Sequence, residues 1–149
     1  MVVSGQVRYQ LSAHKSYVKD EPIIINFTIE NISREKVWVL KWYTPLEGVK
    51  GKIFHILCDG KEIPYEGLMM KRGEPTNDDY IQIDQGSSVS AEIDLSKVYN
   101  IPVCAECVVD FKGQIYDITT SFESVPRSSD KQQMVDVEGN NATFSVIGS

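Results

Sequence analysis

The feature that most constrains this chain is a strict period of two. In Ile23-Ile-Ile-Asn-Phe-Thr-Ile-Glu-Asn31, positions 23, 25, 27 and 29 are apolar, while Asn26, Thr28 and Glu30 between them are polar. Side chains of an extended chain alternate between two faces, so the run predicts a half-buried β-strand. Val7, Tyr9 and Leu11 alternate in the same way before it. Residues 37–42 are apolar on both phases, with Trp38, Leu40 and Trp42 on one side and Val37 and Val39 on the other. Such a strand is central or carries a patch on its outer face. Further short strands are expected at 53–58, 62–65, 80–83, 89–95, 105–111, 115–122 and 142–147. Asp59-Gly60 and Lys112-Gly113 read as tight hairpin turns, and Gln85-Gly86-Ser-Ser88 closes a third connection. Only residues 94–99 suggest a helical turn. Residues 124–133, polar and containing Pro126, read as a mobile loop. The pattern predicts an all-β fold: one domain over residues 1–149, built as an antiparallel, immunoglobulin-like Greek-key sandwich.

Composition then removes several function classes. Fifteen basic and 21 acidic residues leave a net charge of -6, which argues against a nucleic-acid partner. No apolar run approaches the roughly 18 residues needed to span a bilayer. The N-terminal segment lacks the basic and apolar regions of a signal peptide. His14 lies in a polar turn, and His55 sits at an alternating strand position where a packed or surface role is expected. Nucleophile-elbow, phosphate-loop and His-Glu-x-x-His motifs are all absent. No catalysis and no cofactor are expected.

The three cysteines are Cys58, Cys104 and Cys107. Cys104-Ala-Glu-Cys107 has half the spacing of a zinc site, with Cys58, His14 and His55 as the remaining candidates. In a regular strand, however, residues three apart point to opposite faces. Small buried side chains and no metal are therefore expected. Asn26-Phe-Thr28, Asn31-Ile-Ser33 and Asn141-Ala-Thr143 are glycosylation sequons, which favour a secreted or cell-surface location over the cytoplasm. Glu74, Asp78, Asp79 and Asp84 form an acidic loop of calcium-compatible chemistry but without EF-hand spacing, so a solvated loop is the expectation.

Two features suit recognition. The loop Glu66-Gly-Leu-Met-Met-Lys-Arg-Gly-Glu-Pro75 sets Leu68, Met69 and Met70 beside Lys71 and Arg72, between two glycines. Its apolar residues either plug one end of the sandwich or adapt to a partner surface. Trp38 and Trp42, with Tyr43, belong either to the core or to an aromatic platform for a sugar or a protein.

A longer pattern joins these pieces. It runs through Lys41-Trp-Tyr-Thr-Pro-Leu-Glu-Gly48, Ile53-Phe, Asp59-Gly-Lys, Ile63-Pro-Tyr-Glu-Gly67, Lys71-Arg-Gly-Glu-Pro-Thr76 and Asp78-Asp-Tyr-Ile81. Gly86-Ser-Ser-Val-Ser90, Ile93-Asp-Leu-Ser96 and Tyr99 continue it. The pattern resembles the non-catalytic β-sandwich domain that precedes the catalytic domain in lysine-specific, deuterolysin-like zinc metalloendopeptidases. Residues 23–33 are similar to that domain's second strand, and Asn140-Asn-Ala-Thr-Phe-Ser-Val146 to its closing strand. The catalytic half, with its zinc helix, has no counterpart here, so no protease residue carries over. The resemblance implies a propeptide-like module that binds or inhibits a peptidase, with Lys71 or Arg72 offered to a lysine-preferring cleft. A glycan or surface-protein recognition domain and a self-associating structural protein are the alternatives.

Overall fold

The computed structural model describes residues 2–112 and 114–148. Its strands are β1 (Val2–Ser12), β2 (Ser16–Val18), β3 (Ile24–Asn31), β4 (Val37–Leu40), β5 (Phe54–Cys58), β6 (Lys61–Glu62) and β7 (Tyr80–Ile83). They continue as β8 (Ser88–Asp94), β9 (Cys104–Phe111), β10 (Gln114–Ile115), β11 (Ile118–Thr119), β12 (Val135–Gly139) and β13 (Ala142–Ile147). One sheet has the order β10-β12-β1-β3-β8, a second β2-β13-β9-β5-β6, and a small third β11-β4-β7. The expected all-β sandwich is the fold that forms. It is not wholly antiparallel, because β12 runs parallel to β1 and β2 parallel to β13. Among the described residues, no helix is long and apolar enough to cross a membrane.

β3 follows its alternation. Ile25, Phe27 and Ile29 are buried while Ile24 and Asn26 face solvent. Phe27 stands opposite Leu11 of β1 and Ala91 of β8. The two large sheets meet through aromatic rings: Phe111 of β9 lies edge-on to Tyr9 at 5.1 Å and to Phe27 at 5.3 Å. Edge-to-face rings are favoured over sandwiched ones, so this trio sets the spacing of the layers as well as burying area.

The two-phase apolar run is explained by β4, the middle strand of the small sheet. Val37 and Val39 enter the main core. Leu40, with Trp42 just beyond the strand and Tyr80 from β7, forms a second, smaller cluster against which Trp38 and Tyr43 pack.

The turns divide. Asp59 and Gly60 form a two-residue hairpin loop between paired Cys58 and Lys61, both with left-handed φ (47° and 85°), as a primed turn requires. Lys112-Gly113 does not join a hairpin, since β9 and β10 lie in different sheets; Gly113 itself falls outside the described residues. Gln85 to Ser88 likewise carries the chain from the small sheet to the first large one. The helical turn expected at 94–99 is a 3-10 turn, Leu95–Lys97, capped by Asp94 accepting from the Ser96 N–H. The run 115–122 breaks into β10, β11 and another 3-10 turn.

Two further expectations change. Residues 124–133 are tied down: Arg127 donates to the buried Asp117 carboxylate at 3.0 Å and to the Ile118 carbonyl at 2.9 Å. Tyr80 donates its hydroxyl to the same carboxylate at 2.6 Å. Asn31, a sequon residue, is fully buried, and its amide donates to the Glu35 and Ile83 carbonyls at 2.7 and 2.9 Å. It holds a corner of the fold and has no face on which to carry a glycan.

The largest departure lies in β9. On β13, Phe144 and Val146 are two residues apart, yet their partners Cys107 and Cys104 are three apart. An extra residue on one strand is a β-bulge, and it resets the alternation. Cys104 and Cys107 are therefore both buried, while Ala105 and Glu106 between them are exposed. The expected divergence of the two thiols is reversed.

Candidate functional site

The long connection after β6 is built to be held still while its tip stays in water. Its base is fixed by the Glu66 N–H donating to the Val98 carbonyl at 2.8 Å and by the Tyr65 hydroxyl donating to the Leu68 carbonyl. Gly67 is required between them, because a Cβ there would lie 2.4 Å from the Tyr65 hydroxyl and 2.7 Å from a Val98 methyl. Further along, the Met70 N–H donates to Lys50, and the Met70 carbonyl accepts from the Tyr43 hydroxyl, both at 3.1 Å.

The far end is clamped by charge. Arg72 pairs with Glu47, both side chains being largely buried. Its guanidinium lies over the Trp42 ring at 5.1 Å and the Tyr43 ring at 5.2 Å, within cation–π range. The segment 41–48 exists to present Glu47 and the two rings. Buried Thr44 accepts from the Leu46 N–H and donates to the Lys41 carbonyl, which winds the chain into consecutive turns. Tyr43 takes a left-handed φ of 58°, and its N–H donates to Glu47 at 2.8 Å. The Asp79 carboxyl is held below the usual carboxylate range by the Thr76 N–H first and by Trp42 as well.

This frame leaves Leu68 87% and Met69 72% exposed, with Met70 at 44% and Lys71 also exposed. They do not plug the end of the sandwich. Arg72 points inward and supports the loop, so Lys71 is the basic residue the tip presents. Beside the clamp, a cleft of about 510 Å³ is lined by Trp42, Tyr43, Arg72, Glu74, Tyr116 and Gln132.

The aromatic residues do not form one open face. Trp42 is 6% exposed and belongs to the small cluster. Tyr43 is half-buried against Tyr116 at 4.8 Å, and only Trp38 reaches outward, to the exposed Phe122 at 5.6 Å. Three of the four acidic residues have separate partners. Glu74 accepts from Ser129, Asp79 caps the turn at Thr76, and Asp84 accepts from Gln82. His14 and His55 are both on the surface, the latter 3.6 Å from Glu62.

A second cluster was hidden from sequence reasoning by the bulge. Cys58 stands directly opposite Cys107 on the β5–β9 ladder, and its thiol donates to the Pro102 carbonyl at 3.7 Å. Burial first, then neighbouring Cys104 and Asp59, pushes the Cys58 thiol up to about 12; burial, with Cys58 beside it, does the same to Cys107. Thiols so raised stay protonated at neutral pH and are poor nucleophiles.

No protein-family model matches the chain. Over 81 residues, 54% of its length, the chain is 28% identical to a protein described as an extracellular protease from Aeromonas hydrophila. The matched part is 23% of that protein, so the chain spans about a quarter of the relative's length.

Proposed function

We propose that this chain is a non-catalytic recognition module that docks on a peptidase through residues 68–71. The observation that carries the reading is the pairing of a rigid base with a wet apolar tip. Leu68, Met69 and Met70 stay exposed to solvent on a clamped base, an arrangement that costs solubility unless a partner covers it. A loop already held by Arg72, Tyr65 and Tyr43 gives up little conformational freedom on docking, and methionines adapt to an imperfectly matched surface. The similarity to an extracellular protease supports a protease-associated, secreted setting. In this reading, the frame beneath the loop is an immunoglobulin-like Greek key, with β1-β3-β8 facing β13-β9-β5.

The test is a titration of the purified protein against a lysine-specific metalloendopeptidase, following enzyme activity and integrity of the chain together. Saturable binding with an intact chain is expected, weakened more than about tenfold by Lys71→Ala or Leu68→Ser. Plain digestion, or affinity indifferent to both substitutions, overturns the proposal.

A further inference from the structure

We propose that Cys58, Cys104 and Cys107, together with the Asp59 carboxylate, form a binding site for one thiophilic divalent cation of the zinc and cadmium type. This cluster shares no residue with the docking loop. The Cys58 and Cys104 sulfurs and a carboxylate oxygen of Asp59 all lie within 4.8 Å of one another. Cys107 stands directly opposite Cys58 on the β5–β9 ladder and is buried on the same side of β9 as Cys104, so a third sulfur lies next to this trio. Metal–sulfur bonds of about 2.3 Å in a tetrahedron place sulfurs about 3.8 Å apart, a contraction that side-chain rotation can supply. Three thiols and one carboxylate complete a four-donor set, whereas a disulfide would strand the third thiol.

The backbone around the cluster is arranged for the donors. The bulge brings Cys104 and Cys107 to one face. Asp59 accepts from the Ala105 N–H at 3.2 Å on one oxygen and from the Glu106 N–H at 2.9 Å on the other. Each oxygen keeps a further lone pair, so these bonds orient the carboxylate without exhausting it. Asp59 is exposed on the β5–β6 hairpin while the three thiols are buried, which gives the ion a route in from solvent. On binding, each thiol loses its proton to water and the resulting thiolate donates an electron pair to the cation; nothing is oxidised or reduced.

Cadmium is the probe, since thiolate coordination gives it an ultraviolet charge-transfer band. Reduced, metal-free protein should develop the band to saturation at one equivalent of Cd²⁺, release about three protons, and lose the band in competition with zinc only at comparable affinity. Cys104→Ser should abolish the band. Asp59→Asn, at an exposed hairpin position that leaves the core intact, should weaken cadmium binding by about ten- to a hundredfold. Folding of each variant is checked by circular dichroism. Should Cys104→Ser fail to fold, the native-protein stoichiometry and Asp59→Asn decide the matter. Absence of the band in folded, reduced protein overturns the site. So does a band that survives in folded Cys104→Ser, or quantitative formation of a Cys58–Cys104 disulfide in cadmium-saturated protein exposed to air.

Discussion

The loop at 66–73 and the bulge in β9 are two places where the backbone abandons regular sheet, and they treat apolar surface in opposite ways. At the loop, the polar machinery is inside and the apolar residues are outside: a buried Arg72–Glu47 pair underlies an exposed Leu68 and Met69. At the bulge, the solvent-facing residues are Ala105 and Glu106, and the chemically versatile thiols are inside. One region holds apolar side chains on the surface of a clamped frame, and the other conceals its thiols beneath one. The difference teaches that backbone irregularity, more than residue type, decides which side chains this sandwich offers to its surroundings.

The sharpest way to break the comparison is to remove the clamp. Arg72→Ala leaves Glu47 largely buried without its partner, and such a loss costs about 3 kcal/mol. Lys71→Ala, one residue earlier but exposed, should stay within about 0.5 kcal/mol of the parent. Urea denaturation of both variants checks this. Equal midpoints would mean that the loop is not held by its charged base.

A smaller effect is expected at the other end of the loop. Gly67→Ala forces the Tyr65 hydroxyl off the Leu68 carbonyl, because the new methyl would meet it at 2.4 Å. Overpacking of this kind costs about 1 kcal/mol where a flexible side chain can yield. Since the damage is local, proteolytic nicking within 66–73 should rise more than global stability falls. Limited proteolysis beside thermal melting distinguishes the two.

How far these features could be read in advance follows from their physics. Alternation exposed β3 fully, because Ile25, Phe27 and Ile29 need only one buried face. β12 was not among the expected strands: Val135 and Val137 alternate with Asp136 and Glu138, but the run is short and borders a long polar segment. β2, three residues long, is set by pairing with β13 and not by its own pattern. The motif around Trp42 and the one around Arg72 were both legible as segments. That they grip one another was not, because a contact between residues 47 and 72 has no local signature. The bulge was invisible for a related reason. Only the register against β13 shows that Cys104 and Cys107 share a face, and period-two logic applied without that register gives the opposite answer.

A weaker prediction concerns acid. The Asp79 carboxyl lies below its usual value because the Thr76 N–H, then Trp42, favours its ionised form. At Asp94, burial works against ionisation, but the Ser96 hydroxyl and the Ile23 and Ser96 N–H groups together outweigh it and hold the carboxyl low. A carboxyl whose pKa is lower folded than unfolded stabilises above its unfolded value, here 3.8, and loses that contribution as pH falls through the folded value. Stability should therefore decline below about pH 4, with the clamp side responding through Asp79. Asp79→Asn should flatten the decline, as urea midpoints across pH 2 to 6 would show. A decline unchanged in that variant would detach Asp79 from the clamp.

The smallest effect on stability belongs to the tip, and it bears most directly on function. Leu68→Ser and Met69→Ser remove apolar groups that are already in water, so folding should shift by less than about 0.5 kcal/mol. If the tip is a docking surface, the same substitutions should abolish saturation in the peptidase titration at concentrations where the parent protein binds fully. Large stability losses with unaltered binding would instead place these residues in the service of the fold. The contrast between a supportive interior and a presenting exterior would then fail at the loop and survive only at the bulge. Clean separation of the two measurements, with stability preserved and affinity lost, is what a rigid frame carrying an exposed apolar docking tip requires.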